Sequence, residues 1–150
     1  MSEIQKHIKA LGDKDASVRQ EAANALKGIA IMNARFGGDM SVVRPLTEAL
    51  KNKDSRVRFI VVCALNAVYS PGSYHAEDKT VDKPAVSALI KALKDKSEDV
   101  RWTAAETLGY IGDKSAIPAL HKALKDKNEF VRLRARDALE HLQLWDEFKG

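Results

Sequence analysis

A short pattern that occurs four times constrains the fold of this chain more than any other feature. Each copy begins with leucine, carries Asp or Asn two residues later, and ends in Val-Arg, and the copies begin at Leu11, Leu50, Leu93 and Leu124. The starts are separated by 39, 43 and 31 residues. A unit of about 31 residues is therefore repeated, with longer connections after the first and second copies. Periods of this length are typical of stacked supersecondary units.

Each copy predicts two helices joined by a short turn. Before the leading leucine, apolar residues such as Val86, Leu89 and Leu93 recur three, four and seven places apart, which is typical of a helix with one buried face. A residue able to cap a second helix follows four residues after the leucine. These predicted caps are Asp15, Asp54, Ser97 and Asn128. We therefore expect an all-α fold of eight helices in four antiparallel pairs.

The chain length fits a single domain. Its 150 residues are enough for one compact core or one short array of repeats, so we expect one domain over residues 1–150. Two segments interrupt the repeat, and the second of them carries Tyr74 and His75. Trp145 and Phe148 lie in the tail of the chain, where they would either cap the core or form a dimer contact. The predicted copies span about 1–32, 41–70, 82–112 and 113–144, with insertions at about 33–40 and 71–81.

Composition limits the function classes. The net charge of +4 comes from 25 basic and 21 acidic residues, so a nucleic-acid partner is permitted but not required. The lone Cys63 excludes an internal disulfide. The start MSEIQKHIKAL lacks the features of a secretion signal, and the longest apolar run, Phe59 to Leu65, is too short to span a bilayer. We expect a cytoplasmic chain with no membrane partner.

The sequence contains none of the following enzyme motifs. His7, His75, His121 and His141 lie in different copies or loops, and none belongs to a metal-ligand spacing such as HExxH. Glycine-rich phosphate loops and the GxSxG elbow are missing from the sequence. We therefore expect a non-catalytic protein that holds neither a metal nor a cofactor.

The segment LKDKSEDVRWTAAETLGYIGDKSAIPALHKAL, from Leu93 to Leu124, resembles a HEAT repeat, specifically the short HEAT-like repeat named after phycobilisome lyases. The resemblance covers nearly the whole chain apart from the two insertions and the tail after Leu142. It implies a right-handed, armadillo-like α-solenoid. It also implies a structural ladder, in which a turn aspartate and an arginine six residues later tie successive repeats together. The ladder pairs would be Asp13 with Arg19, Asp95 with Arg101 and Asp126 with Arg132, while Asn52 before Arg58 departs from the pattern.

Two basic sets in the repeat have a structural and a functional interpretation. Four aligned arginines would suit a phosphate or carboxylate clamp, but each has its own polar partner in the turn, which favours the ladder. Lysines also recur in the turn, for example Lys96 and Lys127. Cations at helix C-termini offset the helix dipole by about 0.3 to 1 kcal/mol each, whereas a basic row would follow an anionic backbone. We favour the dipole interpretation.

The position after the repeated arginine is the strongest functional clue. It lies about 200° from the buried valine, opposite the core, yet Phe59, Trp102 and Leu133 are large and apolar there, with Gln20 in the first copy. By the resemblance, second helices line the concave side, so these residues would form an apolar stripe inside the curve. Exposed apolar stripes with aromatic anchors usually mark interaction sites. The alternative is that Trp102 only covers a side chain of a neighbouring repeat.

The hypothesis that follows is a protein-protein interaction scaffold, monomeric or weakly dimeric, that binds a protein or peptide on its concave face. Two alternatives remain open: by resemblance alone, an accessory subunit or chaperone of the phycobilin-lyase type, and a HEAT-like nucleic-acid binder. The second is not favoured because acidic residues such as Glu106 border the stripe. The predicted partner-binding residues are Gln20, Phe59, Asn66, Trp102, Glu106 and Leu133.

Overall fold

The computed structural model describes residues 1–73 and 82–149, with side chains through residue 143. These ranges contain eight α-helices, one 3₁₀ helix at Lys114–Ala116, and no strand. The predicted all-α class is thus confirmed. The first helices of the four copies are α1 (Glu3–Ala10), α3 (Val43–Ala49), α5 (Lys83–Ala92) and α7 (Ile117–Ala123). The second helices are α2 (Ala16–Phe36), α4 (Ser55–Tyr69), α6 (Glu98–Ile111) and α8 (Glu129–Lys149).

The helices form two compact units, Met1–Asp78 and Lys79–Gly150, each with two copies. Within each copy the first helix packs on the second. The most extensive contacts join second helices of successive copies, α2 with α4 in unit 1 and α6 with α8 in unit 2. The boundary between the units falls in the predicted insertion 71–81, and the single-domain prediction stays a prediction.

Leucine and valine from both helices of each pair form the cores. Leu26 and Leu65 are fully buried in unit 1, as are Leu89, Leu108 and Leu120 in unit 2. Full burial of one such side chain stabilises the fold by about 1.5 to 3 kcal/mol. The packing of α2 on α4 and of α6 on α8 therefore depends on the apolar face that the repeat pattern predicts.

The repeated valine is buried in three copies and exposed in one. Val57, Val100 and Val131 have no exposed surface, whereas Val18 is 36% exposed. The repeat pattern predicts a buried valine in every copy, and this prediction was wrong for Val18.

The turn between the two helices uses its polar residues as predicted, with one exception. Asp15, Asp54 and Asn128 accept hydrogen bonds from backbone N–H groups at the start of the second helix, but Ser97 makes no such bond. In all four copies, the residue two places before the cap accepts from the N–H of the cap residue, as Asp95 does from Ser97. Ser97 is therefore held by Asp95 rather than acting as a cap.

Several helices end at residues other than those that the repeat pattern predicts. Helix α2 continues to Phe36, so half of the predicted insertion 33–40 is helical, and it ends at Gly37, whose φ of 76° is in the left-handed region. Helix α8 continues to Lys149, past the predicted end of copy four. Gly28 and Gly109 lie inside α2 and α6 and not at helix ends. The side chains of Tyr74, His75, Trp145 and Phe148 lie outside the described part of the chain.

Candidate functional site: the repeat ladder and the second-helix faces

The arginine of copy three is the most deeply buried member of the predicted ladder. Arg101 is 6% exposed, and its Nη1 donates to the backbone carbonyls of Asp95 at 2.8 Å and Lys96 at 3.2 Å. Its Nε and Nη2 donate to Oδ2 and Oδ1 of Asp126 in copy four at 3.0 and 3.2 Å. A charge this deeply buried is tolerated because both its hydrogen bonds and its counter-ion are supplied.

Unit 1 builds the same rung with its carboxylate at a different position. Nη1 of Arg19 donates to the carbonyls of Asp13 at 2.8 Å and Lys14 at 3.0 Å, as in copy three. The ion pair, however, is made with Asp54, at 3.1 Å from both Nε and Nη2. Asp54 is the helix cap, two residues after Asn52, which is the position equivalent to Asp126.

Asn52 makes two backbone hydrogen bonds in this turn. Its Nδ2 donates to the carbonyl of Leu11 at 2.9 Å, and its Oδ1 accepts from the N–H of Asp54 at 2.9 Å. Nη1 of Arg58 donates to the carbonyls of Asn52 and Lys53 at 2.9 and 3.1 Å. The asparagine thus joins copies one and two without a charge.

The structure therefore refines the predicted pairs. Arg19, Arg58, Arg101 and Arg132 each contact the predicted turn residue of their own copy through its backbone carbonyl. The carboxylates that pair with Arg19 and Arg101 come from the following copy. Sequence reasoning missed Asp54 as a ladder residue, although the order Asn-Lys-Asp in copy two, against Asp-Lys-Asn in copy four, was a visible signal.

The environment of Asp54 lowers the pKa of its carboxyl group. Burial alone would raise the pKa of Asp54, but hydrogen bonds from the backbone N–H of Arg56 and the side chain of Arg19 outweigh it. The pKa is consequently lowered from its usual value, so the rung is ionic at neutral pH.

Trp102 lies on the second-helix face of unit 2 within a polar network. Its ring is half-buried, its Nε1 donates to Oδ1 of Asp99 at 3.2 Å, and the guanidinium carbon of Arg134 lies 5.8 Å from the ring centroid. Arg134 is held in turn by Glu106 at 3.1 Å and Asp137 at 3.7 Å. The indole is thereby fixed in place by a cation on its face and a carboxylate at its edge.

Tyr110 and Gly109 extend this face along α6. Burial raises the pKa of the Tyr110 hydroxyl, the nearby charge of Glu106 raises it further, and Arg134 acts in the opposite direction. Gly109 lies where a side chain would not fit, because a Cβ there would be 3.0 Å from both Cα and Cβ of Ala138. Glycine thus allows α8 to approach α6 at the centre of unit 2.

Leu133 occupies a different part of α8 from the residues that face α6. Arg134 and Ala138 lie against α6. Leu133, which is 37% exposed, instead lines a shallow hollow of about 340 Å³ on the outer side of copy four. The other residues of the hollow are Leu124, Glu129, Arg132 and Arg136.

In unit 1, the predicted face residues are less exposed than expected. Gln20 on α2 and Phe59 and Asn66 on α4 are all half-buried. Each unit thus presents an aromatic side chain that is only partly covered, Phe59 in unit 1 and Trp102 in unit 2.

The lysines of the turns border an open cleft between α5 and α7 in unit 2. It has a volume of about 720 Å³, and its lining includes the apolar residues Ile90, Leu93 and Pro118. Also in the lining are Lys94, Lys96 and Lys127 from the turns, Lys122 from α7, and the acids Asp95 and Asp126. The predicted basic row is therefore interrupted by acids, one of which neutralises Arg101.

Within residues 1–73 and 82–143, no three His, Cys, Asp or Glu side chains come together in a way that would hold a metal ion. None of the helices described is long and apolar enough to cross a membrane.

The pairing of helices and the repeated rungs agree with the comparison of the sequence with protein families. The family model described as HEAT repeats matches residues 4–76 and 82–146. The chain belongs to the HEAT repeat family. No curated protein matches the sequence of this HEAT repeat chain.

Solved structures give the same architecture. A designed armadillo repeat protein in complex with the peptide (KR)4 is 26% identical, with a TM-score of 0.68, over 93% of this chain and 64% of its own. Human deoxyhypusine hydroxylase in complex with glycerol, at 24% identity and a TM-score of 0.65, is matched over 93% of this chain and 43% of its own.

The complex of CpcE and CpcF of phycocyanin lyase from Nostoc sp. is 18% identical, with a TM-score of 0.56, over 94% of this chain and 65% of its own. This HEAT repeat chain therefore spans less than two thirds of each of these three structures. The similarity to the hydroxylase and the lyase concerns the fold alone.

Proposed function

We propose that this HEAT repeat protein is a non-catalytic scaffold that binds a protein or peptide segment on the faces of its second helices. The residues that would contact the partner are Gln20, Phe59 and Asn66 on unit 1 and Trp102, Glu106 and Leu133 on unit 2. The observation that carries the proposal is the half-buried Trp102, held by Asp99 and Arg134.

The polar network around Trp102 supports a preformed site. Asp99 and Arg134 hold the indole before any partner arrives, so little conformational entropy would be lost on binding. A fixed indole with one partly open face is a favoured anchor in protein interfaces. Arg134 shows that the ring accepts a guanidinium, so a basic or apolar side chain of a partner would suit the same surface.

The charge around the anchor supports a peptide over a nucleic acid. Asp99 accepts a hydrogen bond from Trp102, and Arg134 beside the ring is already paired with Glu106 and Asp137. An anionic backbone would be repelled by these carboxylates. The designed armadillo protein, which was solved with the basic peptide (KR)4, is a precedent for this mode of recognition in a similar fold.

The test is to select peptides on the intact chain from a displayed random library and to measure their affinity for variants by fluorescence anisotropy. Trp102→Ala should weaken binding more than about fivefold, which corresponds to about 1 kcal/mol. Phe36→Ala, which removes a 71% exposed aromatic outside the proposed faces, is the matched control and should leave the affinity unchanged. Equal affinity of wild type and Trp102→Ala, with unchanged helicity, would contradict the proposal.

A further inference from the structure

The last copy of the repeat carries an incomplete rung. Nη1 of Arg132 donates to the carbonyl of Asp126 at 2.7 Å, as the equivalent arginines do in their own turns. Within residues 1–73 and 82–143, no carboxylate pairs with its Nε and Nη2. Arg132 is exposed, whereas the side chains of Arg19 and Arg101 are 14% and 7% exposed. Copy four therefore has the donor half of a rung without the acceptor.

The first copy carries the complementary half. Oδ1 of Asp13 accepts from the N–H of Asp15 at 2.8 Å, as Oδ1 of Asp126 accepts from Asn128 at 2.9 Å. Asp126 uses its remaining capacity to receive Arg101, whereas Asp13 has no arginine partner in the described part of the chain. Asp13 is thus oriented by its own turn in the way that an acceptor of an incoming arginine requires.

Apolar surface accompanies both half-rungs. On the first copy Val18 is 36% exposed, although the equivalent Val57, Val100 and Val131 have no exposed surface. On the last copy, Leu124 and Leu133 line the 340 Å³ hollow beside Arg132, and Phe130 nearby is 58% exposed. The two outer faces are therefore the two halves of the interface that joins successive copies inside each unit.

We propose that these faces bind each other between two copies of this chain, head to tail, with Arg132 of one chain donating to Asp13 of the next. A second copy is the occupant favoured here because each face repeats an interface that the chain already forms twice, between α2 and α4 and between α6 and α8. The contact is heterologous, so each chain keeps one free face after binding, and assembly continues with concentration. This proposal shares Leu133 with the proposed partner-binding residues but involves neither Phe59 nor Trp102, the aromatic anchors of that proposal.

The first experiment measures the weight-average mass of the purified chain by sedimentation equilibrium over a range of concentrations. The mass should rise above the 16.6 kDa of one chain as concentration increases. Arg132→Glu and Val18→Asp should each hold the mass at that of one chain, because one removes the donor and the other places a charge on the apolar face. Arg44→Glu, an equal charge change at an exposed position on α3, is the matched control and should associate like wild type.

The second experiment distinguishes a head-to-tail contact from a symmetric one. The Arg132→Glu chain retains a functional first copy, and the Val18→Asp chain retains a functional last copy. Mixed in equal amounts, they should form a dimer that grows no further. Circular dichroism and thermal unfolding establish that both variants are folded. A wild-type chain that stays at 16.6 kDa throughout, or two folded variants that fail to associate when mixed, would overturn the proposal.

Discussion

Two turns of the molecule perform the same task with their charged and neutral residues exchanged. In unit 1 the turn Asn52-Lys53-Asp54 supplies the carboxylate for Arg19 from the helix cap. In unit 2 the turn Asp126-Lys127-Asn128 supplies it for Arg101 from two residues earlier. The arginine and its hydrogen bonds to the turn carbonyls are the same in both units, because these bonds form within one copy. The acid is interchangeable between two positions that both face the guanidinium.

The comparison predicts that the deeper rung is the more costly to lose. Asp126→Ala leaves Arg101 buried without a counter-ion and removes the acceptor for the N–H of Asn128. We expect the free energy of unfolding to fall by about 3 to 5 kcal/mol, as measured by urea denaturation. Asp137→Ala, which removes a 51% exposed carboxylate from the helix that follows this turn, should cost less than about 1 kcal/mol. Equal losses of unfolding free energy for the two variants would show that the buried ion pair stabilises the fold no more than an exposed carboxylate does.

The fold of each unit was predictable because the repeat period and the apolar positions depend only on local sequence. The valine pattern identified the face that Val57, Val100 and Val131 bury, and it failed at Val18, which is 36% exposed, because burial depends on what packs over a side chain and a local pattern does not contain that information. The ion-pair partners were harder to predict. Asp54 lies 35 residues from Arg19, and its role depends on where the next turn lies in space. The predicted partner-binding residues stay predictions.

The rung of unit 1 should be lost in acid. The pKa of Asp54 is lowered in the folded chain, so its contribution to stability is complete above the unfolded value of about 3.9 and disappears as the pH falls through the folded pKa. At neutral pH, Asp54→Asn should cost about 1.5 to 3 kcal/mol, as expected for charged hydrogen bonds. Denaturation at a series of pH values should show this difference shrinking below about pH 4. A difference that stays constant across that range would exclude an ionic rung.

The two glycines inside second helices should respond to alanine in opposite directions. Gly28 in unit 1 has no atom within 4 Å of a Cβ position, so Gly28→Ala should stabilise the chain by up to about 1 kcal/mol. Gly109→Ala forces a methyl group against Ala138, and we expect a net loss of about 1 to 3 kcal/mol. The thermal midpoints of the two variants should therefore move apart. Adding Ala138→Gly to Gly109→Ala should restore part of the lost stability. No recovery would mean that α6 and α8 are not in close contact at this position.

The exchange of acid and amide between the turns can be tested directly by converting the turn of unit 2 into that of unit 1. The variant combines Asp126→Asn with Asn128→Asp, so that the carboxylate moves to the cap. Both are made on a Glu98→Gln background, because Oε2 of Glu98 accepts from the amide of Asn128 at 3.0 Å and would repel a carboxylate there.

On that background, Asp126→Asn alone removes the charge paired with Arg101, and the exchanged turn should recover at least about 1 kcal/mol of what the single change loses in urea denaturation. Recovery would mean that the ladder requires one acid within reach of the arginine, since Asp54 already satisfies Arg19 from the cap position. If the exchanged turn is no more stable than the single variant, the two units differ in backbone geometry as well as in sequence. The exchanged order in unit 1 would then depend on the bond from Asn52 to the carbonyl of Leu11, which the acid could not replace because a carboxylate has no proton to donate.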